Sequence, residues 1–118
     1  MWGALFGTLQ AIAVSKAEKL ELGELARQWT ATAPVVEGLV ADLIKRTQAE
    51  RFAADSETLS SISPHYSAFR HLVELMEARN IDRAVVDGYD DLFRRAIAAG
   101  HLQDDFAALA QFMGRPNR

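Results

Sequence analysis

The chain has 118 residues, enough for one domain with one core and too few for a nucleotide-binding domain plus a second domain. Thirteen basic against sixteen acidic side chains give a net charge of −3 with no like-charge block, which argues against a nucleic-acid partner. The absence of cysteine removes disulfides, thiolate metal sites and thiol nucleophiles together, and fits a reducing compartment with the cytoplasm as the expected location.

The opening run Met1 to Val14 carries no charged side chain. It is too short to cross a bilayer and has no basic n-region, so it reads as a buried helix and not as an anchor or a signal. A helix over about 1–19 puts Trp2, Leu5, Phe6, Leu9, Ile12 and Ala13 on a bulky side. Gly3, Ala4, Gly7, Thr8 and Ala11 fall on the other. Such a helix can be packed closely on both sides, by another helix or a second subunit, and is expected to be central.

Glu18 to Gly23 is a polar turn, followed by a short helix over 24–33 carrying Leu25 and a core Trp29. Pro34 predicts a break, because proline donates no amide and restrains its predecessor, with a new helix over about 35–51 buried through Val36, Leu39, Val40, Leu43 and Ile44. In the loop 52–57, Asp55 or Ser56 is the expected cap of a helix reaching towards Arg79, with a stripe of Leu59, Ile62, Tyr66, Phe69, Val73 and Met76. Ser63-Pro64 inside it is either a kink, the favoured reading, or a fresh start with Ser63 as cap.

A helix over 83–99 follows, buried through Val86, Tyr89, Leu92, Phe93 and Ala96. Gly100 then supplies a left-handed helix end, and Asp104 or Asp105 caps a last helix over about 104–113, before a tail from Gly114 that should fray. No segment alternates as a half-buried strand does. The fold class is all-α, a helical bundle of about five to six helices.

Several side chains invite a chemical reading. His71 and Glu74 lie one turn apart but lack a third ligand at matching spacing, so no metal site is expected. Asp90-Asp91 is read as a solvated face near Arg94 and Arg95, and Asp104-Asp105 as a cap, since adjacent helical carboxylates point about 100° apart. His101 is a loop residue near a helix C-terminus, where positive character is favoured. No serine, histidine and acid arrangement stands out.

The alanine-rich helix ending in Gly100-His101, the paired Asp104-Asp105 and Phe106-Ala107-Ala108-Leu109 together resemble the last corner of the C-terminal domain of NADPH-dependent imine reductases and reductive aminases. Asp55-Ser56-Glu57-Thr58-Leu59 resembles the opening of that family's substrate-side helix, Phe69 to Glu74 its continuation, and the first helix the downstream part of its interdomain helix. The resemblance runs over essentially the whole chain, 1–118, as one C-terminal helical domain. It implies a homodimer formed by helix exchange across a two-fold axis, with each pocket completed by the other subunit's NADPH domain.

The same resemblance places Trp2 near a substrate-facing aromatic and the proton donor before residue 1. His65 and Tyr66 fall where the substrate-side helix contributes to the pocket wall. Read from the residues alone, the favoured reading is that Tyr66 is a core aromatic and His65 a solvated residue beside a kink. No glycine spacing of the Rossmann type occurs, so no cofactor site and no catalytic residue are expected within these residues, and NADPH belongs to a separate or upstream Rossmann domain. The expected function is therefore a dimerisation and substrate-pocket domain, not catalytic alone. The alternative is a stand-alone helical module that binds a partner or a small apolar ligand.

Overall fold

The computed structural model describes residues 1–114; of the tail expected to fray, 114–118, all beyond Gly114 lies outside the described residues. Four helices, α1 (Trp2–Ala17), α2 (Leu22–Gln48), α3 (Ile62–Ala78) and α4 (Ala84–Ala98), precede a 3₁₀ segment, Phe106–Phe112. Among the described residues the extended pairing is one isolated antiparallel bridge, Ser61 to Asp105. All four helices stop in the same way. The residue two past the last helical one has positive φ, at Lys19, Glu50, Asn80 and Gly100. The next amide then reaches back to a carbonyl five residues earlier: Leu20 to Ser15, Arg51 to Arg46, Ile81 to Met76 and His101 to Ala96, at 2.8–3.1 Å.

Pro34 does not break α2, which runs unbroken for 27 residues. An interior proline costs about 3 kcal/mol, but here it sits on an exposed stretch where water can reach the carbonyl it leaves unpaired. The Thr30 and Thr32 hydroxyls fold back onto the carbonyls of Ala26 and Gln28, at 3.1 and 2.9 Å. The helix also starts just after the anchored end of α1, where Val14 packs on Val73, Met76 and Val86, and is tied near its other end through Arg46.

The expected helix start at Asp55 or Ser56 is likewise replaced by a loop. Helix α3 begins at Ile62, so Ser63-Pro64 is neither a mid-helix kink nor a start capped by Ser63. The Ile62 amide donates to Asp104 O at 2.9 Å and the Ser63 amide to Leu102 O at 3.0 Å, while Pro64 has no amide to satisfy. The corner after α4 thus caps α3 through its backbone. On the other side of that corner, Asp105 N donates to Phe52 O and Phe106 N to Ser60 O, at 2.9 and 3.2 Å.

One core forms where α3, α4 and the 3₁₀ segment meet, around Ile62, Phe93, Ala96, Ala108 and Leu109, with Phe52, Tyr66 and Phe69 at its margin. A second joins Val73, Met76 and Val86 to Val14 at the end of α1 and to Ile81. The Glu18 carboxylate pairs with Arg79 at 3.1 Å beside it. The rest of α1 is not central. Trp2, Leu5, Phe6 and Leu9 are 53–70 % exposed, and Trp29, Val36, Leu39, Val40 and Ile44 of α2 are exposed too, as are Leu59 and Tyr89. These side chains keep the helical period of the expected stripes, but among the described residues nothing covers them. Gly3 and Gly7 on the small side of α1 have no heavy atom within 4 Å of the space a Cβ would fill.

Gly100, with φ near 96° and open space around its Cα, isolates the backbone cost of a helix end. Gly100→Ala is expected to lower unfolding stability by about 1–2 kcal/mol, whereas Lys19→Gly, relieving the same conformation after α1, should raise it by up to about 1 kcal/mol. Urea titrations of the two variants check both signs.

Candidate functional site

His65 lies in the second turn of α3 with its ring 4.5 Å from that of Phe106, centroid to centroid. It lines two neighbouring cavities that share Leu43, His65 and Phe106. The larger, about 720 Å³, is walled by apolar side chains of α3, α4 and the 3₁₀ segment, including Phe69, Leu72 and Leu92. The smaller, about 180 Å³, has a polar edge of Asp42, Ser60 and Asp105. A third space of about 780 Å³ runs between α1 and α2, lined by the small residues Ala4, Gly7, Thr8 and Ala11 facing Trp29, Val36 and Val40.

Tyr66, one residue on, points elsewhere. Its hydroxyl donates to Asp90 Oδ1 at 2.9 Å and its ring packs against Phe93, 5.1 Å away, so it lines none of these three cavities. Trp2, exposed near the start of α1, lines none of them either. The three expected pocket residues are therefore not brought together within one chain, because Trp2 sits at the exposed start of α1, whose other end is the one that packs on α3, and a helix sends neighbouring side chains about 100° apart. Asp90 is not on a solvated face: it is mostly covered, and it also meets Arg94 at 2.7 Å and Arg70 at 3.6 Å. Asp91 does pair with Arg95 at 2.9 Å on the exposed side. His71 and Glu74 are exposed, and His101 Nδ1 sits 2.7 Å from Asp104 Oδ2 beside Phe112.

The group that the sequence reading passed over is Arg46. It is 1 % exposed. Its Nη2 donates to Asp55 Oδ1 at 2.6 Å and its Nη1 to the Arg51 carbonyl at 3.2 Å, while Nε faces Asp105 Oδ2 at 3.1 Å and Asp42 Oδ2 at 3.4 Å. Nε and Asp105 Oδ2 are close but poorly aligned, an ion pair without a directed hydrogen bond. The other oxygen of Asp105 accepts from Ala107 N at 2.9 Å, so this carboxylate is the cap that the sequence predicts and also a counter-ion for Arg46. The available signal was a lone arginine three residues past Leu43, on the apolar stripe of α2 and four after Asp42. Its hydrogen bond, above all, holds the Asp55 carboxyl well below the usual carboxylate range; Arg51 and the Glu57 amide act in the same direction against partial desolvation.

The cavities can hold an apolar body; the titratable groups at the edges of the two that share His65 are that imidazole, the Tyr89 phenol, and the Asp42 and Asp105 carboxylates already engaged with Arg46. No group of three metal-ligating side chains occurs among the described residues. Nor do these residues fit a dinucleotide. Gly3, Gly7, Gly23, Gly38 and Gly88 all lie inside helices, and no strand-turn-helix offers amides to a pyrophosphate. No described helix is long and apolar enough to cross a membrane.

Residues 1–115 match the family described as NADPH-dependent reductive aminase-like, C-terminal domain. An imine reductase from Myxococcus stipitatus, solved with NADP+, is 47 % identical over 97 % of this chain, with a TM-score of 0.95. A reductive aminase from Aspergillus terreus, solved with NADPH and ethyl levulinate, shares the fold at 18 % identity over 97 % of this chain, with a TM-score of 0.85. The chain spans about two fifths of the length of these two proteins, 41 and 39 % respectively. None of the curated proteins matches it.

Asp55 gives the cluster a pH signature. A carboxyl held low in the folded state adds stability that is complete well above its ordinary value of 3.8 and is lost as pH falls below it. Melting temperatures measured from pH 7 to pH 2.5 should therefore drop below about pH 4. Asp55→Asn should melt lower at pH 7 and lose less on acidification; parallel curves for the two proteins would remove Asp55 as a source of the drop.

Proposed function

Because this chain belongs to the C-terminal domain family of the NADPH-dependent reductive aminase-like proteins, we propose that it is the dimerisation and substrate-pocket domain of an imine reductase or reductive aminase type oxidoreductase. The observation that carries this reading is the uncovered apolar surface of α1 and α2. A contiguous surface of this kind is unusual on a protein that stays monomeric. A second copy that laid its own first two helices against it would cover both partners at once by helix exchange, as two-fold symmetry requires. Obligate interfaces of this type bury on the order of 2,000 Å² or more.

In this reading residues 1–118 act as one domain, and reduction needs a cofactor domain, upstream in the same protein or supplied separately, that binds NADPH. Imine reduction of the kind named for its relatives would then take place at a pocket for which His65 and Trp2 provide wall residues. Tyr66 backs the wall through Phe69 and Phe93, its hydroxyl being engaged by Asp90. A cytoplasmic location goes with the cysteine-free composition.

Sedimentation equilibrium at micromolar concentration tests the dimer: twice the 13.0 kDa chain mass is expected, and a well-folded monomer would contradict it. The cavity beside His65 favours a second reading, a module for a small apolar ligand, since its volume lies in the range of ordinary ligand pockets. That reading expects cyclohexylamine or decanoate at millimolar concentration to raise the melting temperature by about 2 °C or more. No shift with either compound would remove it.

A further inference from the structure

The Arg46 cluster and the uncovered gap beside it belong to one mechanical arrangement. Helix α2 follows α1 directly, and the end of α1 is fixed to the body where Val14 packs on Val73, Met76 and Val86 and Glu18 pairs with Arg79. At its other end Arg46 ties it to the 52–61 loop through Asp55 and to the corner after α4 through Asp105. Between these two anchors the apolar side chains of α2 and those of α3 and α4 face space and do not pack together: Leu43, Phe69 and Leu92 line one cavity, and Val36, Leu39 and Val40 open into the next.

A long helix bearing exposed valines and leucines would gain by closing onto such a gap, since buried apolar surface is worth roughly 25 cal/mol per Å². Something must hold it off. Arg46 is suited to this because a planar guanidinium fixes carboxylates in direction as well as in distance. Its three partners come from three separate segments: Asp42 from the same helix, Asp55 from the loop and Asp105 from the corner.

We infer that the Arg46 cluster is a brace that sets the spacing between α2 and the helical body so that a second copy can seat there, which makes Arg46 a positioning residue for assembly. This rests on the dimer proposed above. The brace acts before association, by keeping an apolar gap open and correctly shaped in each copy. Arg46 itself is covered within one chain and need not touch the partner.

The test is a variant that removes the brace without leaving a buried charge alone, Arg46→Met with Asp105→Asn, because asparagine still caps the 3₁₀ segment. Ile62→Val is the control, lowering stability in the core without touching the cluster. With all proteins folded by circular dichroism, sedimentation equilibrium should give the double variant a dimer dissociation constant raised about tenfold or more and the control an unchanged one. Equal constants for wild type and the double variant would overturn the brace, as would an equal rise in the control, which marks a general stability effect. Should the double variant fail to fold, Asp55→Asn decides by the same measurement, with a several-fold weakening expected and none overturning the inference. A monomeric wild type would instead overturn the dimer itself.

Discussion

A buried guanidinium shared among three carboxylates organises this molecule. Arg46 lies near the end of a 27-residue helix, and its partners come from that helix, from a loop and from the corner between α4 and the 3₁₀ segment. Replacing such a group by apolar side chains is often neutral for stability, while breaking it by removing one partner leaves a buried charge and costs about 3–5 kcal/mol. Its contribution is therefore direction more than energy. The same corner supplies carbonyls to the first amides of α3, so the cluster and the start of α3 are fixed together.

Around that fixed point the chain divides its apolar residues unequally. Those of α3, α4 and the 3₁₀ segment close on one another in small cores, whereas those of α1 and the middle of α2 stay uncovered. The body holds the buried clusters, and the two-helix arm carries most of the large exposed apolar side chains. The Gly3 and Gly7 positions, with no neighbour near them, leave room for a backbone to approach closely.

Much of this was legible in the residues, and the failures have physical causes. The all-helical class, the limits of α1 and α4, the left-handed Gly100 and the capping Asp105 follow from local rules that a single chain obeys. Pro34 misled because local propensity cannot register anchors near both ends of a helix. Asp55 was read as a cap because an aspartate before a serine and a glutamate looks like one, when its partner, Arg46, lies on a different element. The stripes of α1 and α2 were read correctly as apolar, and within one chain they lie largely exposed, since periodicity marks an apolar face but not what packs on it. His65 and Tyr66 were both placed on the pocket wall by the family resemblance, and helical geometry sends one to a cavity wall and the other to a hydrogen bond with Asp90.

The claim that the body stands alone while the arm depends on a second copy is tested most directly by amide hydrogen exchange followed across a hundredfold dilution of the protein. Amides of α3 and α4 such as Val73 and Phe93 should keep their protection at every concentration, and those between Leu5 and Ile12 and between Trp29 and Leu39 should lose theirs as the chain is diluted. Arm protection that stays constant on dilution would contradict the account.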